Sequence, residues 1–87
     1  MIYKVKVSPA AERQFKKLTK NIQRRIMARL EKLAKIPRPA GAKKLSGMKD
    51  VYRVRVGNYR IVYVIQDDVL TVLVVKIAAR KETYRDI

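Results

Sequence analysis

The stretch VYRVRVGNYRIVYVIQ, Val51 to Gln66, decides how the chain is read. Apolar and polar positions alternate in its first half, and β-branched and aromatic residues fill its second, so both halves read as strands. Between them stands Gly57-Asn58, a favoured two-residue hairpin turn. With that turn Val56 pairs with Tyr59, and the numbers of paired residues sum to 115. Val54 then faces Ile61 and Tyr52 faces Tyr63, which makes one side of the hairpin apolar and fit to cover a core. Tyr59 shares that side. The other side carries Arg53 opposite Val62 and Arg55 directly opposite Arg60. Like charges directly opposite each other destabilise a strand pair. One reading is a solvated face whose arginine stems lie over apolar surface. The other is an anion site, because a guanidinium fork grips two phosphate oxygens and keeps its proton. Such a patch can stabilise a phosphorane-like transition state by charge alone. On that reading Arg60→Ala is expected to cost little thermal stability.

After the hairpin, Asp67-Asp68 reads as a turn, which explains these paired carboxylates better than a metal site does. Val69–Ala78 is apolar on both faces, as expected of a central strand covered twice. The second cover is either the tail Arg80–Ile87 or a partner protein. Before the hairpin, Ile36–Met48 is a loop by composition, with Pro37, Pro39, Gly41 and Gly47. Ile22, Ile26, Leu30 and Leu33 mark one helical face, with the basic residues mostly off it. Ile36 before Pro37 ends that helix. Ala11, Phe15 and Leu18 mark a shorter helix that starts at Ser8-Pro9, a side-chain cap followed by a proline whose missing N–H costs nothing there. The chain turns around Thr19–Asn21, giving an αα-hairpin. Met1–Val7 alternates and reads as a half-buried strand. The expectation is an α+β fold, β-αα-β-β-β. An antiparallel sheet lies against the helical hairpin, and a short C-terminal tail or helix follows. Residues 1–87 form a single domain.

Charge narrows the function. The 87 residues include 22 Lys and Arg against 7 Asp and Glu, a formal charge of +15. Residues 9–47 hold 12 basic and 2 acidic side chains, while residues 67–87 hold 4 of each. A folded chain this basic calls for an anionic partner such as nucleic acid, an acidic protein or a membrane surface. Phosphate contacts are expected from Lys16, Lys17, Arg24, Arg25, Lys43, Lys44 and Lys81, and they should weaken with salt. There is no Cys, hence no disulfide or thiolate nucleophile, and no His, hence no ordinary general base or commonest metal ligand. No apolar run is long enough to span a bilayer, so the cytoplasm is the default compartment and no membrane partner is expected.

The stretch KLSGMKDVYRVRVGNYRIVYVI, Lys44 to Ile65, resembles the RelE toxins of the RelE/ParE toxin–antitoxin superfamily. The likeness extends from the N-terminal strand through Arg80-Lys81-Glu82-Thr83-Tyr84. It implies the fold just described and a metal-independent, cofactor-free endoribonuclease that enters the ribosomal A site. There the mRNA 2′-OH attacks the adjacent phosphate, and translation stops. Carried over by position, the resemblance gives Arg53, Arg55 and Arg60 as basic strand residues, Arg80 as the later arginine and Tyr84 as the tail tyrosine. It implies an acidic RelB-like antitoxin as partner, ribosomal RNA and mRNA as targets, and operator DNA only through the antitoxin complex. One departure stands out. Many relatives carry Gly-His-Arg or Gly-Lys-Arg before the tail, and here the triplet is Ala78-Ala79-Arg80. With that His or Lys gone, Tyr84, of ordinary pKa about 10, needs the cations Arg80, Lys81 and Arg85 around it to act as a base. Two other functions fit the same fold. One is a ParE-type toxin that poisons DNA gyrase without nuclease activity. The other is a non-catalytic nucleic-acid-binding module.

Overall fold

The β3–β4 hairpin, Val51–Val56 and Tyr59–Gln66, forms in the register expected, from Val56↔Tyr59 to Val51↔Val64. Gly57 takes φ 58° at the turn, a left-handed value that costs glycine nothing. These strands belong to a computed structural model that describes residues 2–79. The remaining elements are β1 (Lys4–Val7), α1 (Pro9–Lys16), α2 (Lys20–Lys35), β2 (Lys43–Lys44) and β5 (Thr71–Ala79). A single 3-10 turn, Asp67–Val69, joins β4 to β5, where the two aspartates were expected to turn the chain. Leu70 ends that turn in left-handed conformation at φ 46°.

The sheet order is β1-β5-β4-β3-β2. Two details depart from expectation. First, the sheet is mixed, because β1 runs parallel to β5 from Lys4↔Thr71 to Val7↔Val74. The chain between β1 and the rest of the sheet passes through the whole helical hairpin, so no tight turn obliges β1 to run antiparallel. Second, the loop after α2 contributes the two-residue strand β2, with Lys43↔Arg53 and Lys44↔Tyr52. Its flanking prolines and glycines hide so short a strand from periodicity.

Each helix is capped by a side-chain hydroxyl. Ser8 Oγ accepts from the Ala11 N–H at 3.2 Å, and Thr19 Oγ1 accepts from Ile22 N–H at 3.4 Å. Gln23 Nε2 donates to the carbonyls of Phe15 and Leu18, 3.1 Å each, and so ties α2 to the end of α1. The helices cover one face of the sheet. Ile26, Leu30 and Leu33 of α2 are buried with Val54, Ile61, Tyr63, Val72 and Val74 of the strands.

β5 breaks its own alternation. Val62 pairs with Lys76 and Tyr63 with Val74, so Val75 is an extra residue, a β-bulge. After it the parity reverses, and Ile77 joins Val72 and Val74 in the core. β1 stops level with Val74, and α1 takes over that edge of β5. Ser8 donates its N–H to the Val74 carbonyl at 2.8 Å and its hydroxyl to the Val75 carbonyl at 3.3 Å. Gln14 Oε1 accepts from the Ile77 N–H at 2.8 Å. The bulged backbone is thereby hydrogen-bonded on its open side.

Candidate functional site

The sheet face turned away from the helices carries the hairpin arginines. Register sets them in two rows: Arg53, Val62 and Lys76 across β3, β4 and β5, and Arg55, Arg60 and Ala78 in the next row. Adjacent strands lie about 4.8 Å apart, so the side chains in these rows are close neighbours. Their surroundings differ. Arg55 is exposed and Arg53 is half-buried, whereas Arg60 is only 1% exposed. The expectation of a harmless Arg60→Ala substitution therefore fails on burial, because truncation there removes packing as well as charge. Lys16 pairs with Glu12, and Arg38 with Asp67 and Asp50, away from these rows.

A second cationic surface begins at the edge of the hairpin. Arg25, Arg29 and Lys32 recur at helical spacing on α2 and face the β3–β4 turn. With Arg55, Val56 and Gly57 they line an open cleft of about 320 Å³. A neighbouring cleft of about 330 Å³ is lined by Arg29, Gly41, Lys43, Arg53 and Arg55. The Arg25 guanidinium lies so close to Gly57 that a Cβ there would meet its nitrogens at 3.2 Å and 3.3 Å. Arg29 is half-buried, and its Nε, shielded from solvent, has no hydrogen-bond partner among the described residues. Among the described residues no carboxylate lines either cleft. The arrangement suits a phosphate-bearing strand, since the arginine forks can each hold two oxygens.

The structure brings some of the expected residues together and separates others. Arg25, Lys43, Arg53 and Arg55 meet at the two clefts. Lys44 is exposed on β2 opposite Tyr52. Lys16 and Lys17 are exposed at the far end of α1, where Lys16 pairs with Glu12 at 3.1 Å. Arg24 lines a separate groove with Phe15 and Met27. Arg80, Lys81 and Tyr84 lie outside the described residues. Sequence reasoning missed Arg29, Lys32 and Lys76. The i, i+4, i+7 spacing of Arg25, Arg29 and Lys32 was a readable signal. Lys76 had none, because strict alternation assigns it to the core face and only the bulge moves it.

The opposite end of the hairpin is structural. Tyr63 is buried, donates its hydroxyl to the Pro37 carbonyl at 2.8 Å, and has its pKa pushed up to about 12 by that burial. Tyr52 stacks on it with ring centroids 6.1 Å apart. Arg38 donates from Nε to the Tyr52 hydroxyl at 3.2 Å and from Nη2 to Asp67 at 2.9 Å. Arg38, and then the Tyr3 hydroxyl, hold the Asp67 carboxyl below its ordinary range. These contacts pin the loop after α2 to the start and end of the sheet. They leave Tyr52 and Tyr63 as packing groups, as their shared face suggests.

Residues 5–84 match the family model described as ParE toxin of type II toxin-antitoxin system, parDE. A curated Escherichia coli protein described as RelE-like toxin is 34% identical over 85 residues, covering 95% of this chain and 88% of its own length. Among solved structures, the archaeal RelE–RelB complex from Pyrococcus horikoshii superposes with a TM-score of 0.82 at 28% identity, over 92% of this chain and 97% of that one. The isolated E. coli RelE toxin gives a TM-score of 0.81 at 26% identity, over 97% of this chain and 93% of that one.

Proposed function

Since the chain belongs to the ParE toxin family of type II toxin–antitoxin systems, we propose that it is a ribosome-dependent mRNA endonuclease of the RelE type. In this reading it cuts mRNA in the A site and so stops translation in the cytoplasm. The observation that carries the reading is the pairing of Arg55 with Arg60 beside Arg53, on the sheet face away from the helices. Like charges set opposite each other disfavour a strand pair, and a bound anion relieves that cost. The mRNA 2′-oxygen attacks the neighbouring phosphorus, the bond to the 5′-oxygen breaks, and a 2′,3′-cyclic phosphate remains. Arg53, Arg55 and Arg60 bind the non-bridging oxygens as charge builds on them. Arg80 and Tyr84 belong to the same proposed set, with Tyr84 assisting proton transfer. Alignment of the strand by the ribosome supplies a large part of the rate, since orientation alone is worth roughly 7–11 kcal/mol. Arg25, Lys43 and Lys44, with Arg24, Lys16, Lys17 and Lys81, hold ribosomal RNA by salt-sensitive contacts.

The partner in this reading is an acidic RelB-like antitoxin that masks the cationic surface. Solved relatives are toxin–antitoxin complexes. The antitoxin, not this chain, supplies the contacts to operator DNA.

Toeprinting on programmed ribosomes tests the proposal. The expected result is a cut in the A-site codon that is lost in Arg55→Ala and Tyr84→Phe. A second reading, a gyrase poison, is favoured by the name of the matching family model. Gyrase cleavage complexes without any A-site cut would establish it and remove the first.

A further inference from the structure

Lys76 is the one charged side chain of β5, a strand of otherwise apolar or small residues. Straight alternation from Val72 and Val74 would aim it into the core, where an unpaired ammonium is costly. The bulge at Val75 prevents this. It sets Lys76 opposite Val62, in the row that Arg53 occupies and diagonal to Arg60. Bulges beside functional sites characteristically re-aim a side chain, and this one is held on its open edge by Ser8, which caps α1, and by Gln14 within it. Lys76 is half-buried, a setting in which a lysine stem packs against neighbours while its head can stay at the surface.

We infer that Lys76 is a phosphate-binding residue of this face, placed there by the β5 bulge and acting with Arg53, Arg55 and Arg60. This rests on reading the face as the RNA site. The role is electrostatic: the ammonium donates hydrogen bonds to a non-bridging oxygen, and no bond or proton is exchanged. A ligand of several phosphates fits better than a single small anion, because the cations are spread over three adjacent strands. Lys76 thereby supplies a cation two residues before the triplet Ala78-Ala79-Arg80, which holds no His or Lys.

The test is fluorescence anisotropy with a labelled 2′-O-methyl hexaribonucleotide, which binds but cannot be cut. Lys76→Met is expected to weaken binding about tenfold, the worth of one charge-assisted contact. It should flatten the slope of log affinity against log salt by about 0.7, as for loss of one single-strand phosphate contact. Lys76→Arg should restore both, and Lys35→Met on α2 should change neither. Thermal unfolding of each variant shows whether the fold is kept. An unchanged affinity and slope in a folded Lys76→Met, or a wild-type protein that does not bind the oligonucleotide, overturns the assignment. So does polyglutamate binding as tightly as RNA of equal charge with the same Lys76 dependence, which would make this a carboxylate site for an acidic protein. Toeprinting on the same proteins separates the two ideas. No A-site cut with Lys76-dependent RNA binding intact removes the nuclease reading alone. A-site cutting by the wild type, with RNA binding insensitive to Lys76, removes the Lys76 assignment alone.

Discussion

Arg55 and Arg60 are partners across one hairpin, yet one is exposed and the other has only 1% of its surface in solvent. Alternation gives which face a residue takes and says nothing of how deeply that face is covered. The face of Arg60 was therefore legible, and its burial was not. Arg60→Ala is expected to destabilise the protein by about 2 kcal/mol through the cavity it leaves, with Arg60→Met, which keeps the volume, costing less. Chemical denaturation of the two variants checks the difference, and equal midpoints would show that burial is not what matters. Asp67 behaves differently. Its folded pKa is depressed, first by Arg38 and then by Tyr3. The stability it contributes is present above the unfolded value near 4 and is lost as pH falls through the lower, folded one. Asp67→Asn should therefore lower the melting temperature at pH 7, with the gap to wild type closing in strong acid.

At the scale of elements, the hairpin was legible because its turn is local: Gly57-Asn58 alone fixes the register. Gly57→Ala should cost about 1 kcal/mol, because alanine resists φ 58° and its Cβ crowds the Arg25 guanidinium. The caps at Ser8 and Thr19 and the stop before Pro37 are local in the same sense. The bulge in β5 is not, since its hydrogen bonds come from Ser8 and Gln14, more than sixty residues earlier in the chain. Nothing in the run TVLVVKIAA marks Val75 as the extra residue. Gln14→Leu leaves the Ile77 N–H without its acceptor and should lower stability by about 1–2 kcal/mol. Hydrogen exchange should show Ile77 as the amide that loses most protection. Undiminished protection there would mean that another group holds the bulge.

For the molecule as a whole, a formal charge of +15 on a small fold sets two opposite responses to salt. Screening relieves self-repulsion, so the melting temperature should rise from about 10 to 150 mM salt as the screening length falls from about 30 to 8 Å. RNA affinity should fall over the same range. A melting temperature insensitive to salt would show that the arginine patches are already neutralised within the fold. The parallel pairing of β1 with β5 joins Lys4 to Thr71, so β1 waits for a strand made more than sixty residues later. Closing so long a loop is slow and comes late in folding. While β5 is still being synthesised, β4 lacks the strand that covers it, and the row containing Lys76 does not exist. Under the proposed function, a chain that has not yet formed β5 lacks the row that would grip RNA. An antitoxin that recognised this part of the sheet would likewise need β5 in place.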